Sequence, residues 1–327
     1  MRIMVYSFRA FDEKAFFDEY CAQEGFSYAT CPDYPSVENA HLAKGCDAVS
    51  IIVCDMNRAL LTALAAQGVR YVCTRSIGTE HIDMKAAREL GLRVASCVYA
   101  PESVADYAIM LMLMLCRRFP YVLDRARMQD FSLRGKRGRE LSRMTVGLIG
   151  MGRIGRTVAR HLSGFGCRVL GYDVRAGEEA SQLCEMTSLE TLLRESDMIS
   201  LHCPSTAENL RMIGRETIAR MKRGVMLVNT ARGNLIDTMA LIDALEEGQV
   251  GAAALDVIEN EYGLYYINHM GEAMNNRELA LLRAFPNVIV APHTAFYTDA
   301  SVADMARCTV EACRAFERGE AYAYEVR

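Results

Sequence analysis

The chain has no basic surplus, no long apolar run, no paired cysteine spacing and no low-complexity linker. Each absence removes a class of function. Lys and Arg total 37 against 41 Asp and Glu, a formal net charge of −4. A nucleic-acid or anionic-membrane binder would need a positive balance, so neither partner is expected. The longest apolar run, Tyr107 to Cys116, is closed by Asp106 and Arg117, well short of the ~20 residues a bilayer demands. The stretch from Ile3 to Phe8 is short and meets Arg9, Asp12 and Glu13, which is no secretory signal. Twelve cysteines are present without a C-x-x-C pair, and several, such as Cys73 and Cys167, lie in apolar strand-like runs. Scattered thiols of this kind predict a reducing, cytoplasmic compartment. Neither Cys nor His shows zinc-ligand spacing, so no metal is expected.

What is present is an alternation of short apolar strands with helices. At 327 residues, 51% of them hydrophobic, the chain has the length of about two domains. Strands are read at 2–7, 47–53, 69–76 and 92–96, with helices at 11–25, 59–68 and 84–91. A long helix follows Pro101 as ESVADYAIMLMLMLCRR, apolar almost all round and so expected to be buried, its methionines serving as core filler. A second series starts at 144–150, with further strands at 167–173, 197–203, 225–230, 251–257 and 287–293. Continuous apolar strands between helices predict parallel sheets covered on both faces. The last helix, from about Asp299 to Arg318, has no strand after it in this reading and is expected to pack back on the first domain. The fold expected is therefore α/β, with two doubly wound parallel-sheet domains. Residues 1–99 and 299–327 form one, and 100–298 are inserted as the other.

The stretch Gly150-Met151-Gly152-Arg153-Ile154-Gly155 fits G-x-G-x-x-G, follows the strand TVGLI and opens the helix RTVARHLSGFG. That context is what a dinucleotide-binding fingerprint requires. Gly150 permits the tight turn, Gly152 lets backbone approach a pyrophosphate, and Gly155 permits close helix–strand packing. The helix N-terminus offers free N–H groups to the phosphates. Asp173 ends the next strand, 18 residues after Gly155, where a carboxylate binds ribose hydroxyls and repels a 2′-phosphate. The cofactor expected is NAD, although Arg175 lies close to this acid.

Three polar residues sit at strand ends in the second series: Arg232 after VMLVNTA, Glu261 after ALDVIEN and His293 after NVIVAP. In a doubly wound sheet, ligands bind at the carboxyl ends of strands. Reduction of a 2-keto acid needs a planar cation for carboxylate and carbonyl oxygens, which Arg supplies, and a proton donor near neutral pH, which His supplies. A carboxylate beside the imidazole favours its protonated form and fixes its orientation.

With TRSIGTEHIDM (74–84), GLIGMGRIG (147–155), NTARGNLID (229–237), ALDVIENE (254–261) and APHTAFYT (291–298) in this order, the chain resembles the D-isomer-specific 2-hydroxyacid dehydrogenases over nearly its whole length. Its wording is closest to the D-lactate dehydrogenases, including the type associated with vancomycin resistance. The resemblance implies a Rossmann NAD-binding domain inserted in a discontinuous flavodoxin-like substrate domain. It also implies that Arg232 binds substrate, that Glu261 pairs with His293, and that His293 is the acid–base. Further implied roles are a carboxylate-binding loop at Ser76, Ile77 and Gly78, with Tyr99 and Phe296 flanking the substrate. Thr230 and Ala231 would run under the cofactor, Asp256 would lie beside the nicotinamide, and His202, Cys203 and Pro204 would border the adenine. The chain departs from many members after Glu261, where Tyr262 replaces the usual Pro and a longer insert runs to about Asn276. Cys54 lies where the family varies with substrate side chain. The expected activity is reduction of pyruvate or a related 2-keto acid to the (R)-2-hydroxy acid by a homodimer with the Met-rich helix near its interface. The alternatives are larger branched or aromatic keto acids, such as 2-ketoisocaproate or phenylpyruvate, and a non-catalytic NAD-sensing, corepressor-like scaffold.

Overall fold

The computed structural model describes residues 1–261 and 263–326. The chain divides into two compact units, Met1–Ala100 with Tyr297–Arg327, and Pro101–Phe296. The first begins with β1 (Arg2–Val5), α1 (Lys14–Glu24), β2 (Ser27–Thr30), β3 (Ala48–Ile51), α2 (Arg58–Ala66), β4 (Tyr71–Thr74), α3 (Met84–Glu89) and β5 (Arg93–Ala95). Local chemistry sets these limits. Gly25, at φ 67°, ends α1, and the Asn57 and Asp83 side chains accept the Leu60 and Ala86 amides to start α2 and α3.

The second unit holds α4 (Glu102–Cys116), α5 (Phe119–Arg127), β6 (Thr145–Ile149), α6 (Arg153–Leu162), β7 (Arg168–Tyr172), α7 (Glu178–Leu183), β8 (Glu185–Met186), α8 (Leu189–Glu195) and β9 (Met198–Leu201). It continues through α9 (Arg215–Ala219), β10 (Val225–Asn229), α10 (Thr238–Glu246), β11 (Val250–Leu255), α11 (Arg277–Ala284) and β12 (Val288–Val290). The chain then returns to the first unit with α12 (Asp299–Glu317) and β13 (Glu325–Val326).

The first sheet runs β2-β1-β3-β4-β5-β13, and the second β8-β7-β6-β9-β10-β11-β12. Every pairing is parallel except β13 on β5. Strand order reverses between β1 and β3 in the first sheet and between β6 and β9 in the second, the flavodoxin-like and Rossmann-like switch points. Helices α4 and α6 share a core with Val146, Leu148 and Met198 on one face of the second sheet, while Leu241, Leu255 and Leu282 belong to the core of the other.

Three expectations need correction. A strand does follow the last helix: β13 lies antiparallel on β5, held by paired Arg93–Glu325 hydrogen bonds of 2.8 Å. The second sheet has seven strands rather than six, because β8 was too short to show a pattern. The long helix ends at Cys116, and Arg118 turns left-handed at φ 50° before α5; a proline at 120 in a continuing helix would clash with the carbonyl of residue 116. Most of α4 is buried, but Met110 is 42% exposed. Among the described residues no helix is long and apolar enough to cross a membrane, and no cluster of three metal-binding side chains occurs.

Candidate active site

The glycine turn joins β6 to α6. Gly150 takes φ 97°, and a Cβ there would meet the Cys203 amide nitrogen at 2.5 Å. A Cβ on Gly155 would lie 1.9 Å from the Gly150 carbonyl oxygen, so the helix can approach the turn only with glycine here. Gly152 faces open space and caps α6 without a side-chain acceptor, which leaves the first helical amides open. Arg153 is exposed and Ile154 half-buried beside it. Asp173 follows β7; its carboxylate accepts the Met151 and Arg175 amides, both at 2.7 Å.

Two buried polar atoms near this edge find no partner among the described residues: Nδ1 of His202 and Oγ1 of Thr230. The His202 ring reaches Ser200 through Nε2 at 2.9 Å, and burial depresses its pKa to about 4. Orphaned polar atoms, open helix amides and a ribose-type carboxylate at the carboxyl edge of the sheet fit a dinucleotide. Cys203 is half-buried, Pro204 exposed and Ala231 buried.

The turn after β10 is tied by fully buried Asn229, which accepts the Ala231 amide at 3.0 Å and donates to the Arg232 carbonyl at 2.8 Å. Arg232 is half-buried. Gly233 packs backbone to backbone on Ile258, where a Cβ would lie 2.0 Å from the carbonyl oxygen. This close approach holds the Arg232 turn against the segment leading to Glu261. Glu261 accepts the Ile258 amide at 3.2 Å through one oxygen, while the other lies 2.7 Å from His293 Nδ1. Both side chains of this pair are about one-fifth exposed. Nε2 of His293 is therefore the nitrogen left for a reacting oxygen.

His293 itself is left-handed, at φ 54°. Its amide donates to the Asp256 carbonyl at 2.8 Å, and the Asp256 carboxylate accepts the Thr294 and Ala295 amides at 2.9 Å each. Asp256 is fully buried, which raises its pKa against the lowering by those amides. The structure thus places Asp256 as the anchor of the His293 turn. Phe296, buried, stands edge-on to the His293 ring at 6.3 Å.

In the first unit, Ser76, Ile77 and Gly78 follow β4. The Ser76 hydroxyl donates to the Gly78 carbonyl at 2.7 Å and lies as close to Thr74, which contacts buried His81 at 3.1 Å. Behind the loop, fully buried Arg75 pairs with Glu13 at 3.1 Å and donates to the Ser7 and Tyr6 carbonyls. Tyr99 is half-buried, and Cys54 is buried with its thiol pushed up to about 12 by desolvation. The support given by Arg75 was not read from the sequence, because its partners Tyr6, Ser7 and Glu13 lie in a segment more than 60 residues away; that of Asn229 is local to its turn, and only its burial sets it apart.

A doubly wound domain with this glycine turn and a strand-end Arg, Glu and His defines a nicotinamide-nucleotide dehydrogenase. Residues 109–295 match the profile of the D-isomer specific 2-hydroxyacid dehydrogenase NAD-binding domain. The chain is 42% identical over 320 residues to an aromatic 2-oxoacid reductase of Clostridium sporogenes, covering 97% of this chain and 96% of that one. Among solved structures it resembles a D-lactate dehydrogenase of Treponema pallidum, with a TM-score of 0.90, 31% identity and full coverage of both chains. A D-lactate dehydrogenase of Lactobacillus jensenii with NAD+ matches at a TM-score of 0.85 and 31% identity, again over both whole chains. The chain belongs to the D-isomer specific 2-hydroxyacid dehydrogenase family and is an NAD-dependent oxidoreductase of that family.

Proposed function

We propose that this dehydrogenase reduces aromatic or large branched 2-oxo acids to (R)-2-hydroxy acids, in preference to pyruvate. The observation that carries this is the 42% identity, end to end, with an aromatic 2-oxoacid reductase. It shifts the weight from the pyruvate reading of the sequence to the larger keto acids. The aromatic wall of Tyr266 and Phe296 beside His293, with rings 6.4 Å apart and edge-on, supports it, as such rings accept an aromatic side chain edge-to-face.

In the proposed mechanism Arg232 binds the carboxylate and carbonyl oxygens through its planar fork, and the backbone amides of Ser76–Gly78 take the carboxylate. Tyr99 and Phe296 bound the substrate. The glycine turn, Asp173, Thr230, Ala231 and His202 to Pro204 hold NADH, which when bound supplies the hydride to the carbonyl carbon. His293 gives its Nε2 proton to the carbonyl oxygen. Glu261, on Nδ1, favours the imidazolium before transfer and orients the ring. One hydride and one proton convert the ketone to the secondary alcohol. By this assignment residues 101–296 hold the cofactor and also bring Arg232, Glu261, His293 and Phe296 to the substrate, while the remaining residues supply the carboxylate loop and Tyr99.

We also propose a homodimer in a reducing, cytoplasmic compartment. Met110, Phe119, Met128, Phe131 and Leu133 expose apolar surface along and after α4, the kind of patch a second copy covers. Light scattering giving a monomer would refute that. The substrate test is a panel of pyruvate, 2-ketoisocaproate and phenylpyruvate with NADH, with products resolved by chiral chromatography. Phenylpyruvate should give a kcat/KM at least about tenfold above pyruvate, the scale on which a side-chain pocket discriminates. A preference for pyruvate, or an (S)-product, refutes the reading.

A further inference from the structure

We propose that Tyr266 is a positioning residue for His293, its hydroxyl holding the left-handed backbone that sets the imidazole against Glu261. The proposal rests on the proton-donor role of His293 given above. The observation behind it is a pair of strained residues joined by one hydrogen bond. His293 and Tyr266 both have positive φ, 54° and 67°, and neither is glycine. Such conformations persist only where the surroundings over-determine them, and they cluster at functional sites.

The restraints on His293 can be followed group by group. Its amide is fixed on the Asp256 carbonyl, and the next two amides are fixed on the Asp256 carboxylate. Its own carbonyl is fixed by the Tyr266 hydroxyl, which donates to it at 2.8 Å across 27 residues of sequence. Asp256 thus holds one side of the peptide and Tyr266 the other. The Tyr266 ring stands 6.2 Å from the His293 ring and edge-on to Phe296. It remains 49% exposed, so burial does not explain why the chain keeps a strained tyrosine here. The carboxylates acting on one another around His293 are Glu261 and Asp256, and the buried Tyr265 hydroxyl, without a partner among the described residues, feels both. Loss of the Tyr266 hydroxyl leaves the Glu261 and Asp256 carboxylates in place and removes the restraint on the His293 carbonyl.

The test is Tyr266→Phe, which keeps the ring and deletes the bond. With phenylpyruvate and NADH, KM should stay within about twofold while kcat falls about tenfold, since small misplacement of a reacting group costs up to about a hundredfold. The kcat should fall toward that of Glu261→Gln, because a displaced imidazole loses its carboxylate. The thermal midpoint should be unchanged. As a readout free of turnover, the ring resonance of His293 in 13C-histidine-labelled protein should move from its wild-type position in the variant, because the imidazole no longer meets Glu261 as it does at 2.7 Å. Wild-type kcat and an unmoved His293 resonance in Tyr266→Phe would overturn the proposal, whether or not the melting point shifts. If wild type turns over no 2-oxo acid, the functional reading fails, and the His293 resonance alone still decides the positioning role.

Discussion

His202 makes acid sensitivity of the second unit measurable. Its ring is desolvated at the carboxyl edge of β9, one nitrogen on Ser200 and the other without a partner among the described residues, and its pKa is depressed from 6.5 to about 4. The unfolded chain takes up this proton near pH 6.5, while the folded one resists to about 4. Between those values the unfolded state binds more protons, so stability falls as pH falls. The contribution is complete above pH 6.5 and lost as pH drops through 4. The gap corresponds to about 2 to 3 kcal/mol, allowing for the part of the residue that water reaches. His202→Gln keeps a polar partner for Ser200 and removes the titration. Urea unfolding from pH 7.5 to 4, read by hydrogen exchange of β6 and β9 peptides, isolates this unit. The difference between wild type and variant should change by about 2 to 3 kcal/mol across the window. Parallel curves would show that the imidazole is not held neutral by the fold, and the reasoning would be wrong.

Gly155→Ala drives a methyl into the Gly150 carbonyl oxygen; NADH affinity by calorimetry should fall at least about tenfold, with about 1–3 kcal/mol lost from overpacking. Asp173→Ala removes the carboxylate proposed for the ribose and the acceptor of the Met151 amide. NADH should bind more weakly and the NADH-to-NADPH ratio of kcat/KM should narrow, so an unchanged ratio counts against the assignment. Glu261→Gln keeps the shape but not the charge on His293 Nδ1. The imidazole then loses the charged partner that orients it, so kcat for reduction should fall at least about tenfold while substrate KM changes less; a wild-type kcat excludes the pairing.

The sequence by itself determined those features that neighbouring residues decide. Gly150, Gly152 and Gly155 are legible because strand, turn and helix follow one another, and each glycine answers a local steric demand. The βα alternation is legible because buried parallel strands are continuous apolar runs. β2 escaped because it is a half-exposed edge of four residues, and β8 and β13 because two residues carry no period. Arg232, Glu261 and His293 could each be read as a polar residue at a strand end. That Glu261 reaches His293 at 2.7 Å was decided by β11 and β12 lying side by side in register. The insert after Glu261 showed no pattern, and its first residue, Tyr262, lies outside the described residues. The bond from Tyr266 to the His293 carbonyl, and the use of the Asp256 carboxylate on two amides some 40 residues on, came only from the tertiary structure. Contacts between distant segments depend on strand order and register, which no local run of residues encodes.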